Sequence, residues 1–126
     1  ESIEPVERSY SASGGKEHFL SFEDTDNDIV LGFLRLRLPE ESFRSEIDAG
    51  TGIVRQIKVL GNSASIGGDG DVQHQGLGKR LMERAEARAR GAGRDKLAVI
   101  SGVGVREYYR KLGYELEGTY MIKSLG

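Results

Sequence analysis

The chain's 126 residues fit one domain, and 37% hydrophobic with 30% charged residues builds one ordinary core and argues against global disorder. A net charge of −2 excludes a bulk polyanion binder while leaving room for a local basic face. The absence of cysteine excludes a disulfide scaffold, thiolate zinc, a cysteine nucleophile and a protein-ligated iron–sulfur cluster within these residues, and with only His18 and His74 no metal site is expected.

No apolar run approaches the roughly 18 residues of a membrane span, and no secretory signal is visible, so the expectation is a cytoplasmic location and no membrane partner. The chain opens on Glu1, which reads as a piece of something longer. Residues 6–13 read as a first strand, turned by Gly14-Gly15. Residues 16–23 alternate, with His18, Leu20 and Phe22 on one face. Residues 24–28 form a turn whose carboxylates and amide bond nearby backbone; it lacks the glycine and distal glutamate of a calcium loop. Residues 29–38 form a strong strand, with Leu34, Leu36 and Leu38 on one face and Arg35 and Arg37 on the other, stopped by Pro39.

Residues 40–50 are polar, with a short helix expected at 42–47. Residues 53–60 read as a central strand placing Ile53, Arg55, Ile57 and Val59 on one face. Residues 61–72 form a glycine-rich loop, functional or mobile, and expected to gate a ligand entrance. The helix expected after Gly76 sets Leu77, Leu81, Met82, Ala85 and Ala89 at helical steps. Its other faces carry Lys79, Arg80, Arg84, Arg88 and Arg90 against Glu83 and Glu86, with Glu86 and Arg90 spaced to pair. Gly91 and Gly93 end it. Residues 97–100 suit a buried parallel strand, residues 105–112 a second helix ended by Gly113, and residues 114–116 and 119–122 two short strands. The fold class is α+β, with a mixed sheet splayed between the strands ending near Leu60 and at 97–100.

The stretch Gln73-His74-Gln75-Gly76-Leu77-Gly78 reads as a phosphate cradle: glycines let backbone approach a ligand, and a helix start offers unpaired N–H groups. It lacks the third glycine of a dinucleotide fingerprint and the Lys-Ser/Thr of a Walker loop. Alone, it reads equally well as a strand-to-helix turn. Together with Tyr108-Tyr109-Arg110-Lys111-Leu112-Gly113-Tyr114, it resembles the acetyl-CoA core of the GNAT acyltransferase superfamily. In those proteins a Gln/Arg-x-x-Gly-x-Gly/Ala segment binds pyrophosphate, and an aromatic-Tyr-x-x-x-Gly-aromatic segment flanks the thioester.

The similarity extends to Leu81-Met82-Glu83, to 98–104 (Ala-Val-Ile-Ser-Gly-Val-Gly), to Arg106 and to Tyr120-Met121. In the N-terminal half it includes Ser13-Gly14-Gly15, Leu34-Arg35-Leu36-Arg37-Leu38-Pro39, Val54-Arg55, Val59 and Gly61. Over essentially all 126 residues the chain resembles the C-terminal acetyltransferase domain of the Elongator catalytic-subunit family.

The resemblance implies a GNAT fold, mostly antiparallel, splayed at the acetyl-CoA site and flanked by helices, and one domain over 1–126 at the C-terminus of a longer protein. It implies a partner radical S-adenosylmethionine domain with a 4Fe–4S cluster, lying elsewhere because no Cys-x-x-x-Cys-x-x-Cys occurs here. The substrate implied is wobble uridine 34 in a tRNA anticodon stem-loop, with other Elongator subunits as partners in a eukaryote.

Acetyl-CoA contacts are implied for Ile57, Lys58, Val59, Gln73, His74, Gln75, Gly76, Leu77, Gly78, Lys79, Arg80, Ser101, Gly102, Tyr108, Tyr109 and Lys111, with Tyr109 and Tyr108 as the catalytic pair. A phenol near pKa 10 is a weaker acid than a thiol near 8.5, so Tyr109 serves a leaving thiolate better by hydrogen bonding than by full proton transfer. Both tyrosines also fit packing on a helix face, and about 100° separates adjacent helical residues, so the two cannot face one pocket equally. His74 reads as loop-shaping or phosphate-contacting rather than as a base. Gln56 stands where the family pattern has a strand glutamate, and an amide cannot accept a proton as a carboxylate does.

Arg35, Arg37, Arg44 and Arg55 are candidates for a tRNA surface. Two other functions fit: a protein lysine N-acetyltransferase, with Glu46 or Asp48 as base if the short polar segment folds over the site, and a non-catalytic CoA- or tRNA-binding module.

Overall fold

A computed structural model describes residues 3–12, 14–40, 50–60, 70–101 and 103–126. Strands β1 (Ile3–Ala12), β2 (Gly15–Asp24), β3 (Ile29–Pro39) and β4 (Thr51–Val59) form an antiparallel meander. Helix α1 (Gly70–Gly91) then crosses over to β5 (Lys96–Ile100), which lies parallel to β4. A one-turn 3₁₀ segment at Val103–Val105 leads into α2 (Arg106–Lys111), and β6 (Glu115–Glu117) and β7 (Tyr120–Ser124) complete a seven-stranded sheet in the order β1-β2-β3-β4-β5-β7-β6. The expected α+β class holds.

One face of the sheet carries the core. Leu20 and Phe22 of β2, Leu34, Leu36 and Leu38 of β3, and Val54 of β4 meet Leu81, Met82, Ala85 and Ala89 of α1. The alternation in β2 and β3 and the 3.6-residue stripe of α1 therefore point at each other. Fully burying a side chain such as Leu81 contributes about 1.5–3 kcal/mol. Arg84 pins the helix by donating to the carbonyl oxygens of Ser21 and Val6, with its guanidinium over the Phe22 ring.

The structure corrects the sequence reading at three places. First, Ile53, Arg55, Ile57 and Val59 do not share a face. Arg35 pairs with Gln56 and Leu36 with Val54, so Arg55 is the extra residue of a β-bulge. The bulge inverts the alternation: Val54 joins Ile57 at the main core, and Ile53 packs with Ala98, Tyr120 and Ile122 in a second cluster. Second, α1 starts at Gly70, so Gln73–Gly78 lies inside its first turns. Gln is a good helix former, and each interior glycine costs about 1 kcal/mol, too little to stop a helix anchored by its C-terminal half. Third, Glu86 does not pair with Arg90 on a solvated face. It is buried, accepts the Tyr114 hydroxyl at 2.7 Å and faces Lys123 Nζ at 3.3 Å, while Arg90 Nε donates to the Leu125 carbonyl. The helix expected at 42–47 lies outside the described residues, as do Arg44, Glu46, Asp48 and residues 61–69 of the loop expected to act as a gate.

Candidate functional site

The site grows from a parting of strands. β4 pairs with β5 only from Thr51↔Lys96 to Val54↔Val99. Beyond that point β4 follows β3 as far as Val59, and β5 follows β7 as far as Ile100. The bulge at Arg55 falls where they separate; a bulge bends its strand and raises the local twist. Along the free stretch of β4, Ile57 turns to the core, Lys58 is exposed on the opposite face, and Val59 is partly buried.

The start of α1 and Tyr108 of α2 meet at this opening, with Tyr109 packed behind Tyr108. The Tyr108 hydroxyl lies 2.9 Å from where a Cβ on Gly78 would sit, and Val59 Cγ2 lies 3.9 Å from the same point. Gly78 is thus a notch filled by a tyrosine hydroxyl. Around Gly76, by contrast, a Cβ would meet nothing within 4 Å. Tyr109 packs edge-on to Tyr108 at 5.3 Å and to Tyr114 at 6.0 Å, and is 5% exposed. As the helical spacing requires, the two tyrosines diverge: Tyr109 enters the core and Tyr108 reaches across to α1. Burial raises the pKa of both, and Tyr108 adds to the rise at Tyr109. Both phenols therefore stay protonated at neutral pH and remain hydrogen-bond donors.

The remaining predicted residues divide. Leu77 packs against the core, while Lys79 is exposed. Arg80 stacks over the Phe22 ring at 4.4 Å, in a groove between α1 and the first two strands that also includes Pro5, Glu83, Arg84 and Ala87. That places its guanidinium on the β2 side of α1. Lys111 is exposed at the end of α2. Gln73, His74 and Gln75 are in α1, their side chains outside the description, and Gly102 is not described. Gln56 is exposed opposite Arg35.

Beside this opening, two of the buried polar atoms with no hydrogen-bond partner among the described residues are Ser101 Oγ, just past β5, and Arg106 Nε, opening α2. An orphaned buried hydroxyl at the end of the parted strand fits a site that takes a polar ligand. Arg106 was not among the predicted contacts; nothing in its spacing marks it, because its interest comes from burial. Glu86 was also missed, although it stands four residues after Met82 and so falls beside the apolar stripe.

Among the described residues, no helix is long and apolar enough to cross a membrane, and no group of His, Cys, Asp and Glu is arranged to hold a metal ion. The acetyltransferase (GNAT) domain profile matches residues 15–116. Elongator complex protein 3 of Danio rerio is 52% identical over 127 residues, covering 98% of this chain and 23% of that protein. The tRNA uridine(34) acetyltransferase of Methanocaldococcus jannaschii is 50% identical over 129 residues, covering 99% of this chain and 24% of that protein. The solved archaeal Methanocaldococcus infernus Elp3 with an N-terminal deletion superposes with a TM-score of 0.84 at 48% identity, over 98% of this chain and 30% of that one. The chain thus spans about a quarter of the length of the curated relatives it matches.

Proposed function

The chain belongs to the GNAT acetyltransferase family, and from that membership we propose that it is the acetyl-CoA-using part of a tRNA wobble-uridine modification enzyme. The observation that carries the proposal is the convergence, at the parted β4 and β5, of the glycine-bearing start of α1 with Tyr108 and Tyr109 of α2. The names of the relatives support uridine 34 as the target. In this reading the rest of the protein supplies a radical S-adenosylmethionine domain with its 4Fe–4S cluster, other Elongator subunits join in a eukaryote, and the location is cytoplasmic. The match to Elongator complex protein 3, at about a quarter of its length, leaves room for such a domain.

Acetyl-CoA would bring an activated thioester. Ser101 Oγ would satisfy its missing hydrogen bond on the ligand, and Val59 would flank it. In a helix that begins at Gly70, the free N–H groups belong to the first turn, and those of residues 76–79 are committed within the helix. Phosphate binding at Gly76–Lys79 therefore requires the first turns to unwind. Gly76 and Gly78 make those turns cheap to open, at about 1 kcal/mol each relative to alanine.

Tyr109 would donate a hydrogen bond to the sulfur as negative charge develops. Burial raises its pKa further above that of a thiol, so donation without full transfer is the favoured chemistry. Gln56 offers no base for an ammonium substrate, which weighs against lysine acetylation. The test measures acetyl-CoA binding by calorimetry and thioester cleavage by the intact protein with and without tRNA. Binding with tRNA-stimulated cleavage is expected. Rapid acetylation of a lysine peptide would favour the alternative enzyme, and binding without turnover would favour a non-catalytic module.

A further inference from the structure

We infer that Glu86 is a positioning residue for Tyr109, acting through Tyr114, and that it sets the alignment of α2 against the cofactor helix; this rests on the acetyltransferase reading. Glu86 sits in the C-terminal third of α1, in a position an apolar side chain would fill without desolvation. Burying a carboxylate is costly, and buried ion pairs often stabilise no better than apolar packing. What the carboxylate adds is direction. It takes the Tyr114 hydroxyl at 2.7 Å and holds Lys123 Nζ of β7 at 3.3 Å from each oxygen.

Tyr114 in turn grips Tyr109 twice. Its backbone N–H donates to the Tyr109 carbonyl at 3.0 Å across Gly113, whose φ of +100° lets the chain reverse. Its ring also meets the Tyr109 ring edge-on at 6.0 Å and 69°. Tyr109 packs on Tyr108, whose hydroxyl rests in the Gly78 notch. The path from Glu86 through Tyr114, Tyr109 and Tyr108 to Gly78 thus leaves α1 and returns to it. The two anchor points are eight residues apart, roughly 12 Å along the helix axis at about 1.5 Å per residue. Two anchors at that separation fix the tilt as well as the distance of α2, which one anchor would not. Misplacing a reacting group by about 1 Å can cost on the order of 100-fold in rate.

The test compares Tyr114→Phe and Glu86→Gln with the unsubstituted protein in its intact form. Three quantities are read: acetyl-CoA affinity, thioester cleavage with tRNA, and the ligand-free titration of Tyr109 followed by the ¹³Cζ tyrosine signal. Tyr114→Phe keeps the ring and the fold but loses the tether. It should leave affinity within about threefold, slow cleavage by roughly 10–100-fold, and shift the Tyr109 titration toward that of an ordinary phenol. Glu86→Gln keeps an acceptor for Tyr114 and should lose less than Tyr114→Phe. Adding Tyr114→Phe to Tyr109→Phe should cause no further loss of rate. An unchanged Tyr109 titration in Tyr114→Phe overturns the inference, and so do rate losses that multiply in the double variant. If the unsubstituted protein binds acetyl-CoA but cleaves nothing, the enzymatic reading fails, while the titration still decides whether the tether positions Tyr109.

Discussion

Replacing Gly76 with alanine should stabilise the protein and weaken acetyl-CoA binding at once. A Cβ there meets nothing within 4 Å, and Gly76 lies inside α1, so the ligand-free protein pays no steric penalty. Alanine is favoured over glycine within a helix by roughly 0.5–1 kcal/mol. For a domain of this size that raises the melting temperature by about 2–6 °C. The same increment opposes any unwinding that frees N–H groups near residue 76, which alone lowers affinity by about twofold to fivefold. A methyl group facing a phosphate would add to the loss. The assay is thermal unfolding with and without acetyl-CoA, alongside calorimetric titration. Full affinity together with the higher melting temperature would refute the assignment of Gly76 to ligand approach. A lower melting temperature would refute its place inside the helix.

Gly78 should behave differently, because its Cβ would lie 2.9 Å from the Tyr108 hydroxyl but 3.9 Å from the ring carbon beneath it. Gly78→Ala should therefore lower stability, and adding Tyr108→Phe should restore it; chemical denaturation of both variants checks this, and a lack of rescue would remove the notch as the reason for glycine. Tyr109→Phe should hold acetyl-CoA affinity within a few-fold while slowing thioester cleavage by roughly 10–1000-fold, the scale of one lost donor; full turnover would end its proposed role. Burial raises the pKa of Tyr108, Tyr109 and Tyr114, the last strongly because the Glu86 carboxylate also opposes its ionisation. The unfolded chain therefore loses protons first above about pH 10, and stability should fall as pH rises from there. Tyr114→Phe should flatten that decline in denaturation curves taken at pH 9 to 11, and an unchanged slope would contradict the burial argument.

Much of this architecture can be read from side-chain period alone. Leu34, Leu36 and Leu38 alternate, Leu81, Met82, Ala85 and Ala89 recur helically, and both patterns turn to the same core. The β4 segment shows where period misleads. Ile53, Arg55, Ile57 and Val59 make an unbroken alternation, yet one unpaired residue at the bulge moves Ile53 to the other face. A bulge is a property of two strands in register, so a single strand's pattern carries no trace of it. The glycines of α1 mislead in the opposite sense. They suggest a break, and the intrinsic penalty is real, but it is small beside the burial of Leu81 and Met82 that anchors the helix.

The site follows the same division. Part of the candidate site was legible because chemistry restricts residue types: a phenol pair at consecutive helical positions, and a glycine at 78 where the Tyr108 hydroxyl comes close. Its assembly was not legible, because it depends on which atoms tertiary packing brings together. Glu86 makes the point. By sequence it stands one helical turn before Arg90 and invites pairing with it. In the fold, Arg90 is held by the Leu125 carbonyl and Glu86 by a tyrosine 28 residues further on. Inside a protein, a carboxylate that cannot reach water is directed by whichever donors share its burial, and adjacency in the sequence carries no weight against that. The residue inferred to align α2 is therefore the one whose charge seemed most ordinary.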